Sequence, residues 1–357
     1  MAASKNTTPE LLTHSCRIKG LDVLGSGDAL HPVWRKMWKD SEDLNGISIV
    51  PSTEIEGKGK VHHLILMEDF SQAVEISEKF RPYSLNIDKA GRPNVALNGS
   101  DIAGIVHECG AYVGPAHAFT PWTGMYGRFD SIYDCYGEER PDFLELGLSA
   151  DTSYGDRISE LDGITFISNS DAHSSMYHKI GREFNRISSV SRRPEDIIKS
   201  VLKGDVLLNA GFFPEEGKYN RTACSRCYKQ YSLSEAKDAA WKCPFDGGRI
   251  KMGVFDKTAF MSDRREKSKR PPYLHIVPLG EIIKEVLGFS SPCTKRCTDL
   301  YSELISAFGD EITILTDVSV EKISEINAQV GIAIKKFREE KIILHPGGGG
   351  MYGTFEL

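Results

Sequence analysis

The stretch that decides the fold is residues 163–173, GITFISNSDAH, an apolar run that ends in an acid and an imidazole. Asp171 and His173 are two residues apart, and residues i and i+2 of a strand point to the same side. Both side chains can therefore reach one metal ion beyond the end of a strand. A single Asp-x-His pair is weak evidence, because most such pairs are structural, so other parts of the chain have to support it.

Short apolar runs alternate with longer amphipathic segments over about residues 10–210. Runs such as HHLILM and FLELGLSAD predict strands, and several are apolar on both faces, as in a parallel sheet covered by helices. TPELLTHSCRIK and RPEDIIKSVLKG predict helices, because Thr or Pro stands near their starts. Repeated strand–helix units favour an α/β fold of the β/α-barrel type, whose sites lie at the carboxyl ends of the strands.

Metal-binding side chains stand at or near several other predicted strand ends. They are Asp28 after LGSG, Glu54 in VPSTEIE, His62 and His63 at the start of HHLILM, and His117 in VGPAHAFTPW. With Asp171 and His173 they predict one cluster of carboxylates and imidazoles that suits Zn, Mn or Fe. Divalent ions there, Zn, Mn or Mg, would activate hydroxide for attack on a phosphoester. The residues assigned catalytic roles are Asp28, Glu54, Asp171 and His173.

A second metal site is predicted in a cysteine-rich segment between about residues 218 and 260. Cys224-x-x-Cys227 and Cys243-Pro-Phe-Asp246 have the spacing of a zinc ribbon, in which each knuckle supplies two ligands. Asp246 stands where a fourth cysteine is expected, and its oxygen would complete a structural zinc site. The alternative is a metal-free loop with three thiols, which would have little else to order so small a segment.

Positive charge is concentrated locally, although the net charge of the chain is −6. Lysines and arginines are frequent in the cysteine-rich segment, in the linker SDRREKSKRPPY that follows it, and after the Asp-x-His motif. Such runs beside a phosphoesterase site predict a surface that contacts phosphates, whereas any one run alone is usually a solvated face. The linker residues expected to contact DNA are Arg264, Arg265, Lys267, Lys269 and Arg270.

The motifs GSGDALHP, STEIE, HHLIL, GPAHAFTPW, LGLSAD and NSDAHS…GREFN resemble those of the PHP-domain metallophosphoesterases, and more closely those of the endonuclease Q family. The resemblance extends over nearly the whole chain, including the cysteine-rich segment and RPPYLHIVPLGEII. It implies a PHP-type distorted β/α barrel, which we expect at 1–215. The change of composition after it predicts a zinc ribbon at 216–262 and a basic linker with a helical C-terminal domain at 263–357. In that domain apolar residues recur at helical spacing from Val320 to Phe337, with Ser319 as the candidate N-cap. The implied activity is a metal-dependent nick in DNA, 5′ to a deaminated base (uracil, hypoxanthine, xanthine) or an abasic site.

An enzyme that acts on a damaged base must take it out of the stack and hold it in a pocket. Loops after the predicted strand ends provide candidate walls for this pocket. The candidate substrate-binding residues are Trp122, Tyr126, Asp151, Tyr154 and Arg182. For each aromatic residue, capping the apolar mouth of the barrel is the alternative role.

The chain departs from the family pattern near its start. The first strand of the family carries a metal-binding His-x-His pair, whereas here no histidine precedes His14. We expect the first barrel strand to be missing, through a misassigned start codon, a truncated sequence or a decayed site. His31, close to Asp28, is the candidate substitute ligand.

The preferred interpretation is a DNA-repair endonuclease acting on single- or double-stranded DNA that contains deaminated bases. A PHP-family phosphatase of small phosphomonoesters and a non-catalytic DNA-binding remnant stay open as alternatives. A sliding-clamp contact is conceivable, but no clamp-binding tail is evident. We expect a cytoplasmic protein without membrane contact, because no apolar run approaches ~18 residues and the start has no signal-peptide core. The segment HPGGGG lacks the Lys-Ser/Thr of a nucleotide-binding loop, and we expect it to contact phosphate or to be a flexible end.

Overall fold

The computed structural model describes residues 7–357 as a mixed α/β protein with a helical C-terminal part. The strands are β1 (Val23–Gly25), β2 (Ser48–Val50), β3 (Ser52–Glu56), β4 (His62–Leu66), β5 (Tyr112–Pro115), β6 (Phe143–Glu145), β7 (Thr165–Ile167), β8 (Phe184–Ile187), β9 (Val206–Gly211), β10 (Ala223–Cys224), β11 (Ile250–Lys251), β12 (Tyr273–His275), β13 (Ile343–His345) and β14 (Thr354–Glu356). The α-helices are α1 (Pro9–Lys19), α2 (Pro32–Asp40), α3 (Phe70–Phe80), α4 (Gly99–Glu108), α5 (Ile132–Tyr136), α6 (Thr152–Gly155), α7 (Pro194–Lys203), α8 (Leu233–Asp238), α9 (Val254–Met261), α10 (Leu279–Val286), α11 (Lys295–Phe308), α12 (Glu311–Thr316), α13 (Val320–Ile326) and α14 (Ala328–Arg338).

The strands before the cysteine-rich segment form several small sheets. β1 pairs with β2 and β6 with β7 in parallel, as the strand–helix alternation predicted, but β3, β4 and β5 pair antiparallel. The connection between β3 and β4 is residues 57–61, which is too short for the crossover that parallel strands need. β8 pairs antiparallel with β9, which also pairs in parallel with β12. The α/β class is therefore confirmed, and the strands pair partly in parallel and partly antiparallel.

The largest hydrophobic cluster packs helices α3 and α4 against the sheet β3–β4–β5. Ile55, Ile65 and Val113 are fully buried there, with Ile76 and Ile102 from the two helices. Since successive side chains of a strand point to opposite faces, the residues between these apolar ones face away from the cluster. That alternation places Glu54 and Glu56 of β3 and His62 of β4 on the open face of this sheet.

The cysteine-rich segment and the C-terminal helices have hydrophobic clusters of their own. Cys224, Ala236, Cys243 and Ile250 form the small cluster around β10, α8 and β11. The C-terminal cluster is joined to the N-terminal part by a buried ion pair, in which Lys19 Nζ lies 2.5 Å from Glu311 Oε1. β12 falls within the predicted third domain yet pairs with β9, so a sheet crosses that predicted boundary.

The apolar repeat from Val320 to Phe337 predicted one helix, and the structure has two. Asn327 has extended backbone angles and ends α13, and its Oδ1 accepts a hydrogen bond from the N–H of Val330 (3.0 Å) to cap α14. The side chain of Asn competes for backbone hydrogen bonds, which favours a cap over a helix interior. The predicted cap Ser319 is confirmed at the start of α13. No helix in the described residues is long and apolar enough to cross a membrane.

Candidate metal centre and its cleft

Three of the predicted ligands form a compact group on the open face of β3–β4–β5. Glu54, His62 and His117 each offer a ligand atom, and these atoms lie within 4.8 Å of one another. His62 Nδ1 is 2.8 Å from Glu54 Oε1 and 3.2 Å from His117 Nε2. Glu56 points to the same side as Glu54, two residues along the strand, and its Oε2 lies 3.4 Å from His62 Nε2. Carboxylate and imidazole donors at this spacing suit a divalent metal ion.

The electrostatics of the group favour the protonation states that a metal requires. Burial opposes ionisation of Glu54, but a hydrogen bond from His62 and the charges of His117, His62 and Arg92 lower its pKa to about 2. Burial lowers the pKa of His117, which keeps this imidazole neutral. Metal binding needs an ionised carboxylate and a neutral imidazole. The pKa values of Glu54 and His117 are therefore both shifted in the direction that favours metal binding.

Glu145 is a residue of this site that the sequence reasoning missed. It is the last residue of β6, and its Oε2 accepts a hydrogen bond from the backbone N–H of His117 (2.8 Å). Its Oε1 accepts one from Nδ2 of Asn169 (2.7 Å), and burial raises its pKa to about 8. The rule that found Glu54, an acid near a strand end, would have found Glu145 in FLELGLSAD as well.

Asp171 and His173 line the wall of the same cleft and lie outside the compact group. β7 ends at Ile167, so these two residues lie on a loop, and the argument from strand alternation does not hold for them. His173 Nε2 is 3.3 Å from Asp171 Oδ1, and both side chains are about half exposed (57% and 48%). Arg182 donates to the carbonyls of Ser170 (2.7 Å) and Asp171 (3.3 Å), which fixes this loop beside His62 and His117.

The structure does not bring Asp28 or His63 to the group. His63 follows His62 on β4 and points to the opposite face, where its Nδ1 is 2.8 Å from the hydroxyl of Tyr136. Burial there lowers the pKa of His63 to about 3. Asp28 lies outside the compact group but lines an adjoining cavity together with Glu54, Asp171 and His173. His31, the candidate substitute, caps α2 by accepting from the N–H of Trp34 (3.5 Å).

The cleft itself has a volume of about 540 Å³. Of the five predicted substrate-binding residues, only Trp122 and Arg182 line it. Tyr126 is 1% exposed and donates to Glu160 Oε1 (2.6 Å) from the interior. Asp151 caps α6 and contacts Nε2 of His275 (3.0 Å), and the hydroxyl of Tyr154 accepts from Nδ2 of Asn220 (2.7 Å). The polar ends of these three side chains are thus engaged in internal contacts.

The cysteine-rich segment brings its four predicted zinc ligands together. Ligand atoms of Cys224, Cys227, Cys243 and Asp246 all lie within 4.8 Å of one another. Asp246 Oδ1 is 3.4 Å from the sulfur of Cys224, and the sulfur atoms of Cys227 and Cys243 are 3.7 Å apart. Asp246 Oδ2 is buried without a hydrogen-bond partner in the part of the chain that the structure describes. Such an unsatisfied oxygen beside three thiols fits a metal ligand.

Three of the five predicted DNA-contacting residues of the linker bind the protein itself. Arg264 forms two 2.6 Å contacts with the carboxylate of Asp162, and Lys267 lies 3.5 Å from Asp156 Oδ2. Arg270 donates to the carbonyls of residues 161 and 164 (2.8 and 2.6 Å). Arg265 and Lys269 are exposed. Much of the positive charge that the sequence suggested for DNA binding is therefore engaged with acidic side chains and backbone carbonyls of residues 156–164.

These features define a mixed α/β protein with a carboxylate–imidazole group of the kind that binds divalent metals. The chain is 43% identical to the lesion-specific endonuclease PfuEndoQ from Pyrococcus furiosus, whose crystal structure matches all of this chain and 92% of its own with a TM-score of 0.94. A crystal structure of endonuclease Q in complex with a 27-mer duplex substrate, with an abasic lesion at the active site, matches with 42% identity and a TM-score of 0.95, covering 100% of this chain and 93% of that one. The chain belongs to the endonuclease Q family.

Two curated relatives are uncharacterized proteins. MJ0043 of Methanocaldococcus jannaschii is 43% identical over 263 residues, or 72% of this chain, and the matched part is 32% of that relative, so the chain spans about a third of its length. YqxK of Bacillus subtilis is 31% identical over 375 residues, covering 98% of this chain and 92% of YqxK. A family model described as the MJ0043 C-terminal domain matches residues 278–341, which contain α10 to α14.

Proposed function

We propose that this protein is a DNA-repair endonuclease that hydrolyses the phosphodiester 5′ to a deaminated base or an abasic site. The observation that carries the proposal is the group Glu54, His62 and His117 at a cleft whose rim bears several cations. The cations that line the cleft are Arg92, Lys179, Arg182 and Lys218. The lesion-specific relative and the relative bound to abasic duplex support this substrate class. A cleft that combines metal ligands with cations suits a phosphodiester.

In this proposal the residues of the chain divide into ligands, orienting residues and phosphate contacts. Glu54, His62 and His117 would hold a divalent ion, Zn, Mn or Mg, with Asp171 and His173 approaching from the loop. A bound ion lowers the pKa of the attacking water. Glu145 holds the backbone of His117 in place, and Arg182 holds that of Asp171. Lys179 and Lys218 would contact the phosphates on either side of the scissile bond.

The domain arrangement that we propose is a PHP-type barrel at 1–215, followed by a structural zinc ribbon at 216–262. The zinc site is supported by the unsatisfied Oδ2 of Asp246 among three thiols. We propose that the His-x-His strand that the resemblance implies would lie beside β1 and β8. A cavity of about 640 Å³ lies between residues of β1 and β8, each of which has one unpaired edge within residues 7–357. Glu183, which lines it, is buried without a hydrogen-bond partner for either carboxylate oxygen among those residues.

Nicking of labelled duplexes tests the proposal. Duplexes with uracil, hypoxanthine or an abasic site are incubated with Mn²⁺, Mg²⁺ or Zn²⁺, and His62→Ala is compared with the wild type and with His14→Ala. His14 is exposed and outside the cleft, so its variant should behave as the wild type. We expect any nick to be metal-dependent and to fall at least ~100-fold in His62→Ala, because a ligand of the group is lost. Hydrolysis of small phosphomonoesters without any action on DNA would contradict the proposal.

A further inference from the structure

A row of aromatic rings and lysines follows one side of the cleft. The Nζ of Lys218 lies 5.6 Å from the ring centroid of Tyr352 and 5.2 Å from that of Tyr219. The ring of Tyr219 meets that of Trp122 edge-on with centroids 4.7 Å apart, and the Nζ of Lys251 lies 4.8 Å from the Trp122 centroid. The row therefore runs in the order Tyr352, Lys218, Tyr219, Trp122 and Lys251, with two adjacent rings between the lysines. All of its members except Lys251 line the cleft beside His62 and His117.

Tyr352 is held in this row by the glycine-rich loop between β13 and β14. The N–H groups of Gly347, Gly350 and Gly353 donate to the carbonyls of residues 215, 218 and 216, at 2.8, 2.9 and 3.0 Å. The backbone N–H of Arg221 donates to the carbonyl of Gly347 (2.9 Å). The expectation of a flexible end does not fit this loop, because four backbone hydrogen bonds fasten it to the segment that carries Lys218.

The glycines are needed because the two backbones approach closely. A Cβ on Gly349 would lie 2.2 Å from the carbonyl oxygen of Cys224, and one on Gly353 would lie 2.1 Å from that of Glu215. Gly349 and Gly350 also have positive φ angles, +67° and +116°, which side-chain-bearing residues rarely adopt. The loop is thus shaped to lie flat on the cysteine-rich segment, and Tyr352 projects from it.

The ring of Tyr352 is poorly covered for an aromatic side chain in a fixed loop. It is 59% exposed, and the neighbouring Met351 is 49% exposed. Aromatic faces stack on unpaired bases whatever their sequence, and interleaved cations contact the phosphates that join them. A paired duplex offers no base faces to such a row, whereas an unpaired nucleotide at the cleft does.

We propose that the row from Tyr352 to Lys251 is a stacking surface that holds unpaired nucleotides of the DNA strand next to the metal group, with Tyr352 as its outer ring. The inference rests on the proposed function, and it adds that the strand is bound there in its unpaired form. Tyr352 contacts a base face, and Lys218 neutralises the phosphate beside it. Specificity for a lesion then follows in part from how readily the nucleotide leaves its pair.

The test measures binding of fluorescein-labelled oligothymidylate by anisotropy, in buffer without added divalent ions. Tyr352→Ala should weaken binding roughly 5- to 100-fold, because loss of one stacked base has an effect of that size. Tyr352→Phe keeps the ring and should stay within about two-fold of the wild type. Tyr83→Ala removes an exposed tyrosine outside the cleft and serves as the matched control. Lys218→Ala should lower the slope of log Kd against log salt by about 0.7.

The outcomes separate this inference from the proposed function, because nicking of a uracil duplex is measured in parallel. The inference is overturned if Tyr352→Ala binds as tightly as the wild type, if Tyr352→Phe is as weak as Tyr352→Ala, or if the wild type does not bind oligothymidylate. Any of these results with an intact nick leaves the proposed function in place. Ring-dependent binding without a nick on any lesion supports the stacking surface and counts against the endonuclease.

Discussion

Replacing Arg270 by alanine tests whether the basic linker anchors the chain or contacts DNA. The guanidinium of Arg270 donates to two backbone carbonyls, those of Ile164 at 2.6 Å and Leu161 at 2.8 Å. Its central carbon lies 3.7 Å from the ring centroid of Phe166, and burial lowers the pKa of the guanidinium to about 10. Arg270 therefore connects the linker to the segment around β7, whose following loop carries Asp171.

The expected cost of Arg270→Ala follows from these contacts. Two hydrogen bonds from a charged donor contribute about 1.5 kcal/mol each at the low end of their range. The contact with the ring of Phe166 adds about 0.5–1 kcal/mol. The free energy of unfolding should therefore fall by about 3.5–4 kcal/mol. In a chain of 357 residues, this corresponds to a decrease in Tm of about 5 °C.

Thermal unfolding followed by circular dichroism gives the first measurement, and DNA binding at several salt concentrations gives the second. Arg265→Ala is the matched control, because Arg265 is exposed on the same linker. Its stability should stay within about 0.5 kcal/mol of the wild type. Its salt slope should fall by about 0.9 if Arg265 contacts a phosphate. An Arg270→Ala protein as stable as the wild type, with a reduced salt slope, would refute the anchoring role.

Two further predictions concern the metal sites. Asp246→Cys should bind zinc more tightly than the wild type in a competition with a chromogenic chelator, because thiolate is the softer ligand; equal affinities would place Asp246 outside the site. Joining an N-terminal strand with His-x-His to the chain should raise metal-dependent nicking of a uracil duplex, and Asp171→Ala should abolish it; full activity of the chain without that strand would show that Glu54, His62 and His117 suffice.

The sequence predicted where the metal group lies better than it predicted which residues form it. Polar residues in strands next to apolar ones were enough to find Glu54 and His62. Which of His62 and His63 belongs to the group could not be predicted without knowing which face of β4 is open. In the structure, His63 contacts the hydroxyl of Tyr136. Glu145 was missed although it ends β6 and the rule that found Glu54 applies to it as well. What that rule cannot show is its contact, which is with the backbone N–H of His117.

Residues far apart in the chain account for the rest of what the sequence could not predict. Tyr352 and Trp122 reach one cleft only because the glycine loop lies on the cysteine-rich segment. The run RREKSKR was interpreted as a DNA contact because charge alone is visible in a sequence. The acceptors that engage Arg264 and Arg270 lie in the segment 156–164, and their position depends on the tertiary fold.

The arrangement of the cleft gives the cysteine-rich segment a definite part in the proposed activity. It supplies no ligand to the group of Glu54, His62 and His117, and its own four candidate ligands form a separate group. Its backbone is, however, the surface on which the glycine loop rests, and Lys218 lies at its start. Disruption of those four candidate ligands should therefore disturb the wall of the cleft before it disturbs the group of Glu54, His62 and His117. Binding of an unpaired strand would then depend on the cysteine-rich segment, whereas the geometry of Glu54 and His62 depends on β3 and β4.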